Sequence, residues 1–142
     1  MQSDDRFSEA DIVARTLYAE AEGEGLLGVE AVVSVILNRA AAAKEYPGTV
    51  WGKTPAEVCL RPFQFGCWNP KSPSFQRVMH LNPSDPFYRL CRRTAGRALR
   101  GFVSDSVNGA THFHRKDVSP AWARRLIPVA EIGRFLFYRE VF

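Results

Sequence analysis

The sequence has only three cysteines and three histidines, and neither type falls in a familiar metal-binding motif. Cys59, Cys67 and Cys91 show no C-x-x-C spacing, and no H-E-x-x-H pair is present. An odd cysteine count without a secretory signal predicts reduced thiols rather than a disulfide framework. These cysteines are expected to be buried as small hydrophobic residues.

Long hydrophobic runs are also missing. No uninterrupted run of about 18 apolar residues occurs, so the sequence predicts no membrane insertion. The acidic, polar start MQSDDRFSEAD lacks the layout of a secretory signal, so we expect synthesis without a signal peptide. The length fits one domain over residues 1–142, with residues 1–8 expected to form a flexible N-terminus.

Charge is unevenly distributed along the chain. Residues 1–30 carry eight acidic and two basic side chains, whereas residues 31–142 carry seven acidic and seventeen basic ones. The basic part favours an anionic polymer such as nucleic acid, an anionic lipid surface or cell-wall glycan, although solubility alone would also explain it.

Hydrophobic periodicity predicts a mainly helical fold. A first helix is expected from about Glu9 to Ala21, because S-E-A-D resembles a capping box and glycines follow. The segment GVEAVVSVILNRAAAAK, residues 28–44, predicts the central buried helix, with apolar residues at Val29, Val32, Val33, Ile36, Leu37 and Ala40. T-P-A-E at 54–57 predicts a short helix after the Pro47-Gly48 break.

Another helix is predicted to start at Asp85-Pro86 and to end before Gly101. Its inner face is expected to comprise Phe87, Leu90, Cys91, Thr94 and Ala98. Its outer face carries a basic stripe of Arg89, Arg93, Arg97 and Arg100, which is typical of a solvated face and less often of a polymer-binding one.

The remaining segments predict loops and a small sheet. Residues 61–84 are interpreted as a structured loop anchored by Phe63, Phe65, Trp68 and Phe75. NGATHFH, residues 108–114, predicts a turn into a strand that pairs with EIGRFLFYREVF, and PAWARRL predicts one or two helical turns between them. The expected fold class is α+β and mainly α-helical.

The segment YAEAEGEG contains three glutamates at a helix end, and their positions distinguish them. On a helical wheel, Glu20 lies at the edge of the apolar face, Glu22 lies with Asp11 and Arg15 on the polar face, and Glu24 follows Gly23. Partial burial would raise the pKa of Glu20, as a general acid near neutral pH requires. Three solvated carboxylates near a helix end are the plain alternative.

Several polar and aromatic residues are candidates for lining a cleft beside Glu20. Gln64 is expected to face the cleft, because it alternates with aromatic neighbours, and its amide both donates and accepts hydrogen bonds. The other candidates are Phe65, Trp68, Thr111, His112, His114 and Trp122, with Tyr18 and Glu24 as supporting residues. For each aromatic residue a core position is an equal alternative.

These segments together resemble a known family. ARTLYAEAEGEGLLGVEAVVSVILNRA resembles the opening of the SleB-like cell wall hydrolases, the group of the spore cortex-lytic enzymes. FQFGCWN, NGATHFH, PAWA and IGRFLFYR resemble its later blocks in order, over about residues 10–140. Two positions depart from the family pattern: Gly66 stands where serine is usual, and Phe135 stands where histidine is common.

The resemblance implies a lysozyme-like fold with a small sheet and a peptidoglycan glycan-strand hydrolase, commonly a lytic transglycosylase. It implies that Glu20 is the catalytic acid, because Glu20 is the first glutamate of the family's E-A-x-G-E motif, and that the candidate cleft residues beside it bind sugar. It implies no cofactor and no metal, a peptidoglycan partner rather than nucleic acid, and a monomer. We expect action at the cell wall after holin-type release or within a phage-like particle.

Two other functions remain open at this point. His112 and His114 share one face of a predicted strand, as in a zinc-dependent peptidoglycan amidase or peptidase, but no second pair of ligands is evident. A non-catalytic module that binds cell wall or nucleic acid is also compatible with the arginine stripe and the aromatic residues.

Overall fold

The computed structural model describes residues 6–46, 51–62, 64–139 and 141. Five helices and three strands occur in this part of the chain: α1 Glu9–Glu20, α2 Leu26–Glu45, α3 Pro55–Leu60, α4 Phe75–Met79, α5 Pro86–Leu99, β1 His112–Arg115, β2 Ala130–Ile132 and β3 Phe135–Tyr138. The predicted α+β, mainly helical class is confirmed.

The central helix is α2, as its periodicity predicted. Val29, Val32 and Ile36 are fully buried, and α1, α3 and α5 all contact α2. By length and composition α2 is also apolar enough to cross a membrane, which the search for uninterrupted apolar runs missed. In the folded protein 56% of the most apolar 18-residue window of α2 is buried, as expected of the core helix of a folded domain.

Both ends of α1 form as the sequence predicted. Ser8 Oγ accepts a hydrogen bond from the Asp11 backbone N–H at 3.1 Å, and Ala21 caps the helix after Glu20. Residues 6–8, within the end expected to be flexible, include this cap and Phe7, whose ring lies 4.0 Å from the Arg15 guanidinium carbon. Arg15 is only 9% exposed, so its assignment to the polar face is wrong.

The predicted caps of α3 and α5 are present. Thr54 and Glu57 form a reciprocal capping box. Asp85 Oδ1 accepts from the Phe87 and Tyr88 N–H groups, at 2.8 and 3.2 Å. The buried face of α5 comprises Tyr88, Cys91, Thr94, Ala95 and Ala98, whereas Phe87 and Leu90 are only partly buried.

The segment 61–84 is more structured than expected. It contains a 3₁₀ turn at Gly66–Trp68 and the short helix α4. Phe63 and the Pro47-Gly48 break lie outside the described residues. All three cysteines are free and buried, as predicted, and burial raises the pKa of Cys59 to about 12, so its thiol stays protonated.

The sheet is antiparallel with strand order β1-β3-β2. The segment expected to give one strand forms a hairpin, because Ile132 pairs with Phe135 across a two-residue turn. Gly133 has φ +56° at the first position of that turn, a conformation that glycine adopts readily. β1 begins only at His112, after a turn in which Asn108 and Gly109 have positive φ.

Candidate active site

Glu20 is the last residue of α1, and its side chain is half-buried. Burial raises the pKa of Glu20 from 4.5 to about 7, although the positive charge of Arg39 opposes the shift. In the described part of the chain no hydrogen bond or ion pair engages its carboxyl group. Glu20 therefore combines a pKa near neutrality with a carboxyl group that is free to exchange a proton.

The other two glutamates of the segment are engaged elsewhere. Glu22 is exposed and forms an ion pair with Arg77. Glu24 is 12% exposed, and its Oε1 accepts from the Arg134 N–H at 2.9 Å. A Cβ at Gly133 would approach Glu24 Oε2 to 2.6 Å, so this contact needs glycine. Glu24 thus fixes the β2–β3 turn against the end of α1.

Tyr18, the other predicted supporting residue, packs toward α5. Its hydroxyl lies 3.4 Å from Asp85 Oδ2, and its ring centroid is 5.5 Å from that of Phe87. Both partners are at the start of α5. Tyr18 therefore joins α1 to α5, and its supporting role at the site stays a prediction.

Arg39, whose charge acts on Glu20, joins α2 to the loop and to the segment before β1. It is 7% exposed on α2; its Nε donates to the Thr111 carbonyl at 2.7 Å, and Nη1 donates to Gln64 Oε1 at 3.2 Å. Burial lowers the pKa of Arg39 to about 10, against the opposing effects of Cys59 and Glu20. Asn38, one position earlier, donates to the Ala110 carbonyl at 2.9 Å. Arg39 is thus a fixed cation beside the candidate acid.

A row of aromatic and imidazole rings continues from Arg39 along one face of the sheet. The Arg39 guanidinium carbon lies 5.8 Å from the Trp51 ring centroid. Neighbouring centroids are then 5.3 to 5.7 Å apart in the order Trp51, His112, Trp122, His114 and Tyr138. Trp122 is 38% exposed, so its ring is accessible to a ligand.

The two histidines have different environments. A carbonyl can only accept, so His114 Nδ1, 2.7 Å from the Arg115 carbonyl, carries the proton. His114 Nε2 then accepts from the Tyr138 hydroxyl at 2.9 Å. His112 Nδ1 lies 3.0 Å from Thr111 Oγ1, and burial, with the charge of Arg39, lowers the pKa of His112 to about 4. His112 is therefore held neutral, and both ring nitrogens of His114 are hydrogen-bonded.

Phe65 and Trp68 are positioned differently from the row. Phe65 is 4% exposed and packs in the core, 5.4 Å from the Arg39 guanidinium carbon. Phe65 also lines a cavity with Gly66 and Trp68, so its role in binding sugar stays a prediction. Trp68 donates from Nε1 to Thr16 Oγ1 at 2.9 Å and lines a cavity of about 380 Å³ together with Gly66.

The structure brings Gln64 and Thr111 into contact with Arg39 and places His112, Trp122 and His114 in one row of rings, and their role in binding sugar stays a prediction. Sequence reasoning missed Arg39, Trp51 and Tyr138. The sequence does indicate that Arg39 is buried, because it lies seven residues after Val32 and therefore on the same face of α2 as that buried valine. Trp51 has no comparable pattern in its sequence surroundings.

Comparison with known proteins places the fold. A family model described as Cell Wall Hydrolase matches residues 23–138, a range that begins after Glu20. A search of curated proteins found no match. The catalytic domain of the germination-specific lytic transglycosylase SleB from Bacillus anthracis aligns with 22% identity and TM-score 0.69, covering 96% of this chain and 100% of that one.

The catalytic domain of the Bacillus cereus SleB protein aligns with 24% identity and TM-score 0.67, covering 96% of this chain and 94% of the other. At these identities the two structures establish the fold. The lysozyme-like fold and the SleB-like resemblance predicted from the sequence are both confirmed.

Proposed function

Because the chain belongs to the cell wall hydrolase family and is an enzyme that degrades peptidoglycan, we propose that it is a lytic transglycosylase with Glu20 as its acid and base. It would cleave between N-acetylmuramic acid and N-acetylglucosamine. The observation that carries the proposal is the half-buried Glu20 carboxyl group, whose pKa is raised to about 7. The Bacillus anthracis domain of similar fold is described as a lytic transglycosylase, which supports this choice.

In the first step the protonated Glu20 gives its proton to the glycosidic oxygen. The bond from the muramic acid C1 to that oxygen then breaks, and positive charge develops at C1. Glu20 is left ionised beside the fixed cation of Arg39, which stabilises the carboxylate until it is reprotonated. A raised pKa favours the donation, because a useful general acid titrates near the working pH.

In the second step the muramic acid's own C6 hydroxyl attacks C1 and closes a 1,6-anhydro ring. The Glu20 carboxylate takes the hydroxyl proton, so the enzyme returns to its starting state. No second carboxylate is required, whereas a hydrolytic glycosidase uses two. Glu22 and Glu24 are held by Arg77 and the β2–β3 turn, which agrees with a mechanism that needs one acid.

The glycan would lie along the row of rings on the sheet. Trp122 and Trp51 offer faces for sugar rings, and Thr111 and His112 add hydrogen-bonding groups at the end near Arg39. Gln64 uses its amide oxygen on Arg39, so its amide nitrogen is the group available to a sugar.

A zinc-dependent mechanism through the two histidines is less well supported. Both nitrogens of His114 already have partners, so binding a metal would break the bond to Tyr138. Among the described residues no group of three or more His, Cys, Asp or Glu side chains is placed to hold a metal ion. The arrangement favours cleavage of the glycan over cleavage of the peptide.

The proposal is tested by digesting purified peptidoglycan with the wild type, Glu20→Gln and the matched control Glu22→Gln. We expect 1,6-anhydromuramyl products from the wild type and Glu22→Gln, and none from Glu20→Gln. Free stem peptides whose release is insensitive to Glu20→Gln and abolished by a chelator would refute the proposal and favour the zinc enzyme. Mass spectrometry of the released muropeptides distinguishes these outcomes.

A further inference from the structure

One face of the sheet carries a cluster of rings around Trp122. His112 and His114 lie two residues apart on β1, and Tyr138 on β3 is the register partner of His112, so their side chains point to the same face. Trp122 belongs to the 3₁₀ turn Ala121–Ala123, in the connection between β1 and β2. We call His112, His114 and Tyr138 together the tryptophan clamp.

The backbone of this turn leaves the Trp122 ring to be oriented by its neighbours. Two backbone hydrogen bonds hold the turn, from the Ala123 N–H to the Pro120 carbonyl at 3.1 Å and from the Arg124 N–H to the Ala121 carbonyl at 3.3 Å. Ala123 is buried, whereas Trp122 is 38% exposed. An exposed side chain on so short a turn keeps its rotamer freedom unless other side chains restrict it.

The tryptophan clamp supplies that restriction on Trp122. The centroid of the indole ring lies 5.4 Å from that of His112, 5.7 Å from that of His114 and 5.2 Å from that of Tyr138. The corresponding interplanar angles are 60°, 74° and 86°, so all three contacts are edge-to-face, an arrangement that aromatic pairs prefer at these distances. Three rings therefore hold Trp122 while part of its surface stays accessible to a ligand.

Hydrogen bonds fix two members of the tryptophan clamp in turn. His114 Nδ1 donates to the Arg115 carbonyl at 2.7 Å, and His114 Nε2 accepts from the Tyr138 hydroxyl at 2.9 Å. Tyr138 is only 4% exposed, so without this acceptor its hydroxyl would lose water and gain no partner. Both nitrogens of His114 are thus occupied by the protein, and its ring is fixed against Tyr138 with an interplanar angle of 20°.

We propose that His114 and Tyr138 are positioning residues, whose hydrogen bond orients Trp122 to bind a sugar of the glycan strand. This inference rests on the proposed function, which places the glycan along this row, and it gives His114 a role other than direct contact with the sugar. A side chain that is oriented before binding loses less conformational entropy when the ligand arrives. The tryptophan clamp therefore acts on affinity and not on the proton transfers of Glu20.

The first test measures binding without turnover. In the Glu20→Gln background, sedimentation with insoluble peptidoglycan gives the dissociation constant. We expect Tyr138→Phe, which keeps the ring and removes the hydroxyl, to weaken binding roughly two- to tenfold, the range for ordering one side chain on binding. His114→Phe keeps a ring and removes the acceptor, so it should weaken binding to a similar extent. Unchanged affinity in either variant would overturn the inference.

A double-mutant cycle shows whether the hydrogen bond acts through Trp122. Trp122→Ala alone should weaken binding, and Tyr138→Phe should cause no further loss in that background. Additive losses would show that Tyr138 acts through another contact, and full affinity in Trp122→Ala would show that Trp122 does not bind the strand. Either result refutes the inference, and neither depends on which product the enzyme forms at Glu20.

Tyr88→Phe is the matched control. Tyr88 is 2% exposed and its hydroxyl donates to Asp11 Oδ1 at 2.8 Å, so this variant also loses a buried tyrosine hydroxyl and its hydrogen bond, but on α5. We expect Tyr88→Phe to keep full affinity, and urea unfolding checks that each variant is folded. In the active enzyme Tyr138→Phe should raise KM roughly two- to tenfold with kcat unchanged. A fall in kcat at unchanged KM, or an equal loss of affinity in Tyr88→Phe, would refute the positioning role.

Discussion

Replacing Glu20 by glutamine should remove the activity and should make the protein more stable than the wild type, by an amount that grows as the pH rises. Burial raises the pKa of Glu20 from 4.5 to about 7 in the folded protein, and the unfolded chain keeps the lower value. Between these values the folded state holds a proton that the unfolded state has lost. The free energy of unfolding of the wild type therefore falls as the pH rises through this window.

The size of the effect follows from the two pKa values. A shift from 4.5 to about 7 corresponds to about 3 kcal/mol of lost stability once Glu20 is ionised in both states. Glutamine has nearly the shape of protonated glutamic acid and does not ionise. The advantage of Glu20→Gln over the wild type should therefore be near zero at pH 4 and approach about 3 kcal/mol at pH 8.

Urea unfolding of both proteins at pH 4, 6 and 8 measures this difference, and pH effects common to both cancel. Glu22→Gln is the matched control, because Glu22 is exposed and paired with Arg77, so no growing advantage is expected. A difference between Glu20→Gln and wild type that is constant with pH, or that favours the wild type at pH 8, would refute the raised pKa of Glu20.

Three further variants test neighbouring parts of the site. Arg39 lowers the pKa of Glu20, so Arg39→Met should raise that pKa and keep Glu20 protonated to higher pH. The decrease of kcat/KM near pH 7 should therefore move to higher pH. A pH–rate profile that moves to lower pH would contradict this. Glu24→Ala should cost about 0.5–1.5 kcal/mol in urea unfolding, because the exposed Arg134 N–H exchanges its acceptor for water, whereas Glu24→Gln keeps an acceptor oxygen and should lose less. Gly66→Ser should leave the unfolding midpoint unchanged, because a Cβ at this position meets nothing within 4 Å. It should raise kcat/KM on peptidoglycan, because it restores the serine hydroxyl that is usual in the family. An unchanged kcat/KM would show that the departure at Gly66 costs no activity.

The helical part of the fold was readable from the sequence because its signals are local. The cap at Ser8, the capping box at Thr54 and the Asp85-Pro86 start each use a side chain within a few residues of the backbone groups it satisfies. The sheet was predicted less accurately. Alternation over 131–142 does not distinguish one strand from a hairpin, and Gly133 makes a turn whose close contact with Glu24 is distant in sequence.

The same distinction holds at the candidate site. The wheel position of Glu20 at the edge of an apolar face was enough to predict a half-buried carboxyl group. The wheel also placed Arg15 on the polar face, yet its guanidinium is covered by Phe7, a contact from outside the helix. The bonds from Arg39 to Gln64 and Thr111 join three separate segments, so no local pattern records them.

Digestion of purified peptidoglycan in ¹⁸O-labelled water tests the central claim most directly, because it reports whether water or the sugar's own C6 hydroxyl completes the reaction. If Glu20 serves as the single acid and base, mass spectrometry should find 1,6-anhydromuramyl ends without label. Muramic acid at labelled reducing ends would show that water is the nucleophile. That result would contradict the account, because a hydrolytic enzyme needs a second group to activate water.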